Sequence, residues 1–163
     1  MQQLNLPAVA FKTKQSGSRL QVFDEVRKKY VALTPEEWVR QHFIHYLVNH
    51  LGFSPGLVAV EMLVKVNGLR QRADIVLYNK KGKPALIVEC KAPGVTLTRA
   101  VFNQAARYNT RLDVDYLVVT NGLQHYCARL LDAQGNYELL KAIPNAAEVY
   151  GLPNGDAGID THR

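Results

Sequence analysis

Two apolar arms constrain this chain more than any other feature. Arg72-Ala73-Asp74-Ile75-Val76-Leu77-Tyr78 and Pro84-Ala85-Leu86-Ile87-Val88-Glu89-Cys90-Lys91 are joined by the polar stretch Asn79-Lys80-Lys81-Gly82-Lys83. Arms so rich in aliphatic and β-branched residues read as buried strands, and the glycine between them as a turn. A hairpin centred on Lys81-Gly82 sets Asp74 opposite Glu89, with Cβ atoms about 4.5 to 5.5 Å apart. Glu89 and Lys91, two apart, share one face of their strand. Acids within apolar strands are costly unless something compensates them, and Lys91 is the only counter-charge the second arm offers. A positive occupant is therefore expected. A hard divalent ion such as Mg²⁺, which takes oxygen ligands and is commonly held by one or two carboxylates, is the natural choice. These are the parts of metal-assisted phosphodiester hydrolysis. The plainer reading, in which Asp74 caps a strand and Glu89 and Lys91 form a solvated edge pair, conflicts with the depth of Glu89 in its arm.

The flanking segments supply a setting for the hairpin. Thr34-Pro35-Glu36-Glu37 opens a helix running to about Leu51, with Thr34 as N-cap, Pro35 in the first turn and Glu37 in the reciprocal capping position. In that role Glu37 would contribute about 1 kcal/mol of capping energy. Val39, Phe43, Ile44, Tyr46, Leu47 and Leu51 form the apolar face; Glu36 and Arg40 fall within it, Glu37 at its edge and Trp38 opposite. Glu36 and Arg40 read either as an i,i+4 ion pair or as a third anchor for the site. Leu57 to Val66 is a strand and Asn67-Gly68 a turn. After Lys91, Ala92-Pro93-Gly94 breaks the chain, and Thr96 or Thr98 caps a second helix to about Asn109, with Gln104 and Tyr108 on one face. Further strands are read at Asp115 to Thr120, His125 to Leu131 and Tyr137 to Leu140, and a short one at Lys29 to Leu33. The rest of residues 1–33 reads as a lead-in without legible chemistry.

A length of 163 residues suits a single domain over residues 1–150, and the glycine- and aspartate-rich residues 151–163 read as a flexible tail. No apolar run approaches the ~18 residues of a membrane span. No secretion signal is visible, and Cys90 and Cys127 lack zinc spacing, which fits reduced thiols and a cytoplasmic location. A net charge of +6 favours a polyanionic partner. The basic clusters are Arg27-Lys28-Lys29, Arg70 with Arg72, and Lys80-Lys81-Lys83.

Asp74 followed after fourteen residues by Glu89-Cys90-Lys91 resembles the PD-(D/E)xK nuclease signature, with Ala73 where proline is common. More narrowly, Thr34-Pro35-Glu36-Glu37-Trp38-Val39-Arg40-Gln41, Arg72-Ala73-Asp74-Ile75-Val76, Val88-Glu89-Cys90-Lys91-Ala92 and Val119-Thr120-Asn121-Gly122 resemble the N-terminal nuclease domain of type I restriction enzyme R subunits. Gln104 and Tyr108 match that group's Q-x3-Y element. The resemblance spans roughly residues 30 to 145. It implies a restriction-endonuclease-like α/β fold, an αβββαβ core whose central mixed sheet is flanked by helices. It further implies Mg²⁺, with Mn²⁺ able to substitute, held by Asp74, Glu89 and the Cys90 carbonyl. Lys91 would position or polarise the attacking water, and Glu36 would join the catalytic set. Gln104, Tyr108, Arg40 and Arg72 are expected on the DNA approach. The partners implied are DNA and other restriction-system subunits, with a dimer as one arrangement and no membrane. R subunits continue into an ATP-driven motor, whereas these residues contain no G-x-x-x-x-G-K-[ST] loop. The alternative is a catalytically weak nucleic-acid-binding or assembly module of such a system.

Overall fold

The computed structural model describes residues 1–66 and 68–151. The hairpin arms become β5 (Leu69–Tyr78) and β6 (Pro84–Cys90), preceded by β4 (Val58–Val66). They continue into β7 (Tyr116–Thr120), β8 (His125–Leu130) and β9 (Tyr137–Leu140) to make one six-stranded sheet in the order β4-β5-β6-β7-β8-β9. All neighbours run antiparallel except β6 and β7, which are parallel, with Leu86 beside Tyr116 and Cys90 beside Thr120. Parallel neighbours need a long crossover, and helix α2 (Arg99–Asn109) supplies it. A separate antiparallel sheet holds β1 (Thr13–Ser16), β2 (Arg19–Asp24) and β3 (Lys29–Ala32).

The central strands read as unbroken apolar runs because both their faces are covered. Ile75, Leu77, Leu86, Val88 and Val118 pack on one face with Val39, Phe43 and Leu47 of α1 (Pro35–Asn49). Val76, Ile87, Leu117 and Val119 pack on the other with Phe102, Ala105 and Ala106 of α2. The result is the layered α/β fold that the sequence implied.

Local signals account for the helix starts. The Thr34 hydroxyl accepts the Glu37 amide at 3.1 Å, and that of Thr98 accepts the Val101 amide at 3.2 Å. Reciprocal capping by Glu37 is not observed; the Thr34 amide donates to the Ala32 carbonyl instead. A third helix, α3 (Ala146–Tyr150), was not expected. It is held by the Ala146 amide on the Leu51 carbonyl and the Tyr150 hydroxyl on the Tyr78 carbonyl, each at 2.8 Å. Gly151 caps it, while the rest of the expected tail, and Asn67 of the expected turn, lie outside the described residues.

At the β7–β8 turn, Gly122 has φ +84°, and a Cβ there would stand 2.8 Å from Leu4 Cδ2 and 3.1 Å from Val39 Cγ2. Only glycine takes that backbone conformation without strain. Gly122→Ala should lower unfolding free energy by about 1 to 3 kcal/mol in urea denaturation. Unchanged stability would refute this reading of the turn.

Candidate active site

The β5–β6 register follows the expected one through Leu77–Leu86, Val76–Ile87 and Ile75–Val88, and it stops one rung short of Asp74 and Glu89. The β4–β5 ladder has a gap at the same level. Val60 pairs with Ile75 and Met62 with Ala73, but Glu61 and Asp74 do not pair, and Glu61 has φ +51°. A left-handed residue at a missing rung is a local kink of the kind that re-aims side chains. Its effect shows in the packing. Ala73 lies in the α2 layer and Ile75 in the α1 layer, although residues two apart normally share a face.

Asp74 is consequently turned toward α1. Its Oδ1 accepts Arg40 Nη2 at 3.0 Å and its Oδ2 accepts the Cys90 amide at 2.8 Å. Glu89 stays on the α2 side, where its Oε1 accepts Asn109 Nδ2 at 3.3 Å and its Oε2 lies 3.8 Å from Lys91 Nζ. The expected face-to-face opposition of the two acids is therefore corrected. They approach the end of β6 from its two sides, with Cys90 between them, because the broken rung rotates Asp74 out of register. The expectation that only Lys91 or a metal could compensate Asp74 is corrected too, since Arg40 reaches it from the helix.

Arg40 is also corrected as a DNA contact. Its side chain is 5% exposed, and its Nη atoms are engaged by Glu37 Oε2 at 2.8 Å, Asp74 Oδ1 at 3.0 Å, Glu36 Oε1 at 3.2 Å and Glu61 Oε1 at 3.5 Å. Burial alone would lower its pKa, but the carboxylates of Glu37 and Asp74 outweigh burial and raise it, so the guanidinium is always charged. Among the described residues, Arg40 Nε is a buried donor with no hydrogen-bond partner.

The two helix-start acids exchange their expected places. Glu36 is 48% exposed in its side chain and shares Arg40 Nη2 with Asp74, whereas Glu37, at 6%, is clamped between Arg27 and Arg40. Burial first, and the Asp74 charge second, push the Glu36 carboxyl above its usual range, while Arg40 and Lys91 pull the other way. The lead-in also contributes. Arg27 Nε lies 2.6 Å from Asp24 Oδ2 and Nη1 lies 3.1 Å from Glu61 Oε2, and Gln41 Nε2 donates to the same Asp24 oxygen at 2.9 Å.

On the α2 side, Glu89, Lys91, Val101, Gln104, Ala105 and Tyr108 line a recess of about 280 Å³. Gln104 and Tyr108 are exposed, and Arg72, at 71%, lies 3.3 Å from Glu61 Oε2. The structure thus brings Gln104 and Tyr108 to Glu89 and Lys91, and Glu36 and Arg72 to the Asp74 side. The Cys90 thiol is buried, and burial, then the Asp74 charge, push its pKa well up.

Among the described residues no three His, Cys, Asp or Glu side chains gather as a metal cage. The donors that are present nonetheless suit a hard cation. Each oxygen of Asp74, and Glu89 Oε1, accepts a single hydrogen bond, which leaves lone pairs free.

Asn109, Glu61, Arg27 and Asp24 were missed. Asn109 is 1% exposed, and its Oδ1 accepts Gln71 Nε2 at 2.7 Å while its Nδ2 holds Glu89. Glu61 was visible as the one acid in an apolar strand, a signal of the same kind that singled out Asp74 and Glu89. Asp24 and Arg27 gave no signal short of the folded contacts.

Removing one member of a buried pair leaves the other charge unmet. Glu37→Ala should therefore cost about 3 to 5 kcal/mol in urea denaturation. The half-exposed Glu36→Ala should cost under about 1 kcal/mol. Equal costs would sink this account. Burial pushes Asp24 up, but the Arg27 amide and guanidinium and the Gln41 amide bring it below the ordinary 3.8. A depressed carboxylate stabilises above its unfolded pKa and loses that contribution as pH falls through the folded one. Stability measured from pH 6 down should fall below about pH 4, and Asp24→Asn, though less stable at pH 6, should show a flatter decline.

The six-stranded sheet with its two helix layers is similar to a solved structure, the fragment of a protein assigned as an HsdR subunit of a type I restriction enzyme from Vibrio vulnificus YJ016. The TM-score is 0.53 at 20% identity, over 73% of this chain and 25% of that one. The chain thus spans a quarter of the length of that relative, and the likeness is one of fold. No curated protein matches the sequence. A sequence model described as "Type I restriction enzyme R protein N terminus (HSDR_N)" matches residues 35–144. That span begins at the first residue of α1, runs through the whole six-stranded sheet and takes in Glu36, Asp74, Glu89, Lys91, Gln104 and Tyr108; the chain belongs to the type I restriction enzyme R protein N-terminal family.

Proposed function

We propose that this chain is the DNA-cutting module of a restriction system, a Mg²⁺-dependent endonuclease that hydrolyses phosphodiester bonds and works with other subunits of that system. One observation carries the reading: at the end of β6 Asp74 accepts the Cys90 amide, while Glu89 and Lys91, the residues on either side of Cys90, meet at 3.8 Å in an open recess bearing Gln104 and Tyr108. Asp74, Glu89 and the Cys90 carbonyl would hold the ion. When bound, the ion would lower the pKa of a water ligand and neutralise charge developing on the phosphate. Asn109 fixes one oxygen of Glu89, so the carboxylate's second oxygen is aimed toward Lys91. Lys91 donates to the attacking water or a non-bridging phosphate oxygen. Gln104 and Tyr108 hold the sugar-phosphate backbone against the recess, and Arg72 supplies an exposed cation on the Asp74 side. Arg40 neutralises Asp74 until the ion is taken up, and this one contact favours the second reading, a binding or assembly module with weak turnover.

The two readings separate on a plasmid assay with Mg²⁺, Mn²⁺ or chelator, run beside Mg²⁺ titration calorimetry. Asp74→Ala and Glu89→Ala should lose both metal binding and cleavage. Lys91→Ala should keep the metal and lose cleavage by about 10²-fold or more, since lysine donates no lone pair to a cation. Cleavage that survives chelator, or full activity in Lys91→Ala, would overturn the endonuclease reading. Gln104→Ala and Tyr108→Ala should weaken DNA binding while leaving Mg²⁺ affinity unchanged; collapse of Mg²⁺ affinity in Gln104→Ala would refute its role.

A further inference from the structure

The small sheet of β1, β2 and β3 lies outside the family match, and its inner face is accounted for. Val22 and Asp24 are fully buried there, and Asp24 joins the ionic chain that ends on Asp74. Its outer face is built differently. The Phe23 amide donates to the Lys12 carbonyl at 2.9 Å, and Phe23 is registered against Tyr30, so Lys12, Phe23 and Tyr30 form one rung across three strands. The two rings meet edge to face at 5.2 Å. Lys14 Nζ stands 4.1 Å from the Tyr30 centroid and Lys12 Nζ 5.9 Å from that of Phe23. Such contacts hold a lysine extended over a ring without neutralising it. Lys12 and Lys14 are exposed on this outer face, and Lys29, registered against Asp24, is exposed on the other face at the sheet's edge; among the described residues none of the three lies within ion-pair distance of a carboxylate, and the neighbouring Glu25 is taken by Lys28 at 3.6 Å.

This sheet does not stand apart from the candidate active site. β3 is one of its two edge strands, and Lys29, Tyr30 and Val31 line a groove of about 650 Å³ together with Glu36, Arg40 and Glu61. The groove runs from Lys29 to the acids around Arg40, the residue that holds Asp74, and Lys14 reaches its edge over the Tyr30 ring. The buried chain from Asp24 through Arg27 and Glu37 to Arg40 fixes the distance between them, since none of its members can move without exposing an unmet charge. A cationic edge rigidly coupled to a hydrolytic centre by an open groove is suited to one thing, holding the polyanion that centre acts on.

Resting on the endonuclease reading, we propose that the β1–β3 sheet is a DNA-backbone clamp, with Lys12, Lys14 and Lys29 contacting phosphates of the duplex segment that enters the groove toward Asp74. The aromatic rung serves as its stiff support. Phosphate contacts of this kind position the duplex without reading its sequence. They also release counterions, so each lost lysine should lower the slope of log affinity against log salt by about 1.

Anisotropy of a labelled duplex, titrated in chelator at several salt concentrations, tests the clamp without requiring catalysis. The triple variant Lys12→Ala/Lys14→Ala/Lys29→Ala should bind at least about 10-fold more weakly at low salt, with the salt slope reduced by about 3. Lys80→Ala/Lys81→Ala, which removes charge at the far end of the β5–β6 hairpin, should bind like the unmodified protein. Mg²⁺ affinity and thermal unfolding should be unchanged in both. Equal DNA affinity and slope in the triple variant and the unmodified protein, equal losses in the two variants, or no DNA binding by the unmodified protein would each overturn the clamp. An unmodified protein that binds DNA through these lysines and never cuts would refute the endonuclease reading while leaving the clamp standing.

Discussion

The Asp74 side of this site depends on one buried guanidinium. Arg40 comes off α1 and meets carboxylates from its own helix, from β4 and from β5, so a single planar fork joins three elements. Arginine suits this position because its donors are fixed in a plane and its charge is permanent. The cost is evident in Nε, which is buried without a partner among the described residues, a penalty of about 1 to 3 kcal/mol for such a donor. Fixing Asp74 from two directions, by Arg40 and by the Cys90 amide, offsets it. A carboxylate so held has little freedom left to lose when it takes up a ligand.

The charges form an alternating series, Asp24, Arg27, Glu37, Arg40 and Asp74, running from the small sheet through the helix to the central sheet. Replacing a buried ion pair by apolar residues is often neutral or stabilising, so the series is weak support for stability as such. What it fixes is geometry: each link has one acceptable distance and direction. The apolar core on either side of the sheet would tolerate small shifts, and the ionic chain does not.

The layered fold and most of the site were legible in the sequence because each rested on a short-range rule. The hairpin, the Thr34 and Thr98 caps and the helix crossover follow from apolar runs, capping residues and strand direction. Glu89 and Lys91 share a face as strand alternation requires, and both line the recess that holds Gln104 and Tyr108. The readings that failed were those that extended a regular pattern through an irregular point. Alternation mis-aimed Asp74 because Glu61 adopts a left-handed backbone across from it. Helical periodicity set Glu36 inside and Glu37 at the edge, whereas Arg27, from a segment with no legible role, draws Glu37 inward. Short helix α3 carries local caps, Asn145 accepting the Glu148 amide and Gly151 ending it, but five residues hold too little apolar pattern to read, and contacts to Leu51 and Tyr78, distant in sequence, hold it in place.

The missing rung between Glu61 and Asp74 has a mechanical meaning of its own. Strand pairing normally transmits register, so that a one-residue slip anywhere along a ladder exchanges every inward side chain for an outward one. Here the outer part of the β4–β5 ribbon, from Met62–Ala73 outward, which packs on the α2 side, is separated by that gap from the part beginning at Val60–Ile75, which packs on the α1 side. The gap works as an expansion joint. A register slip in the outer part need not pass through the ladder to Val60–Ile75, while the outer part still reaches the site by a side-chain route, Gln71 donating to Asn109 and Asn109 to Glu89.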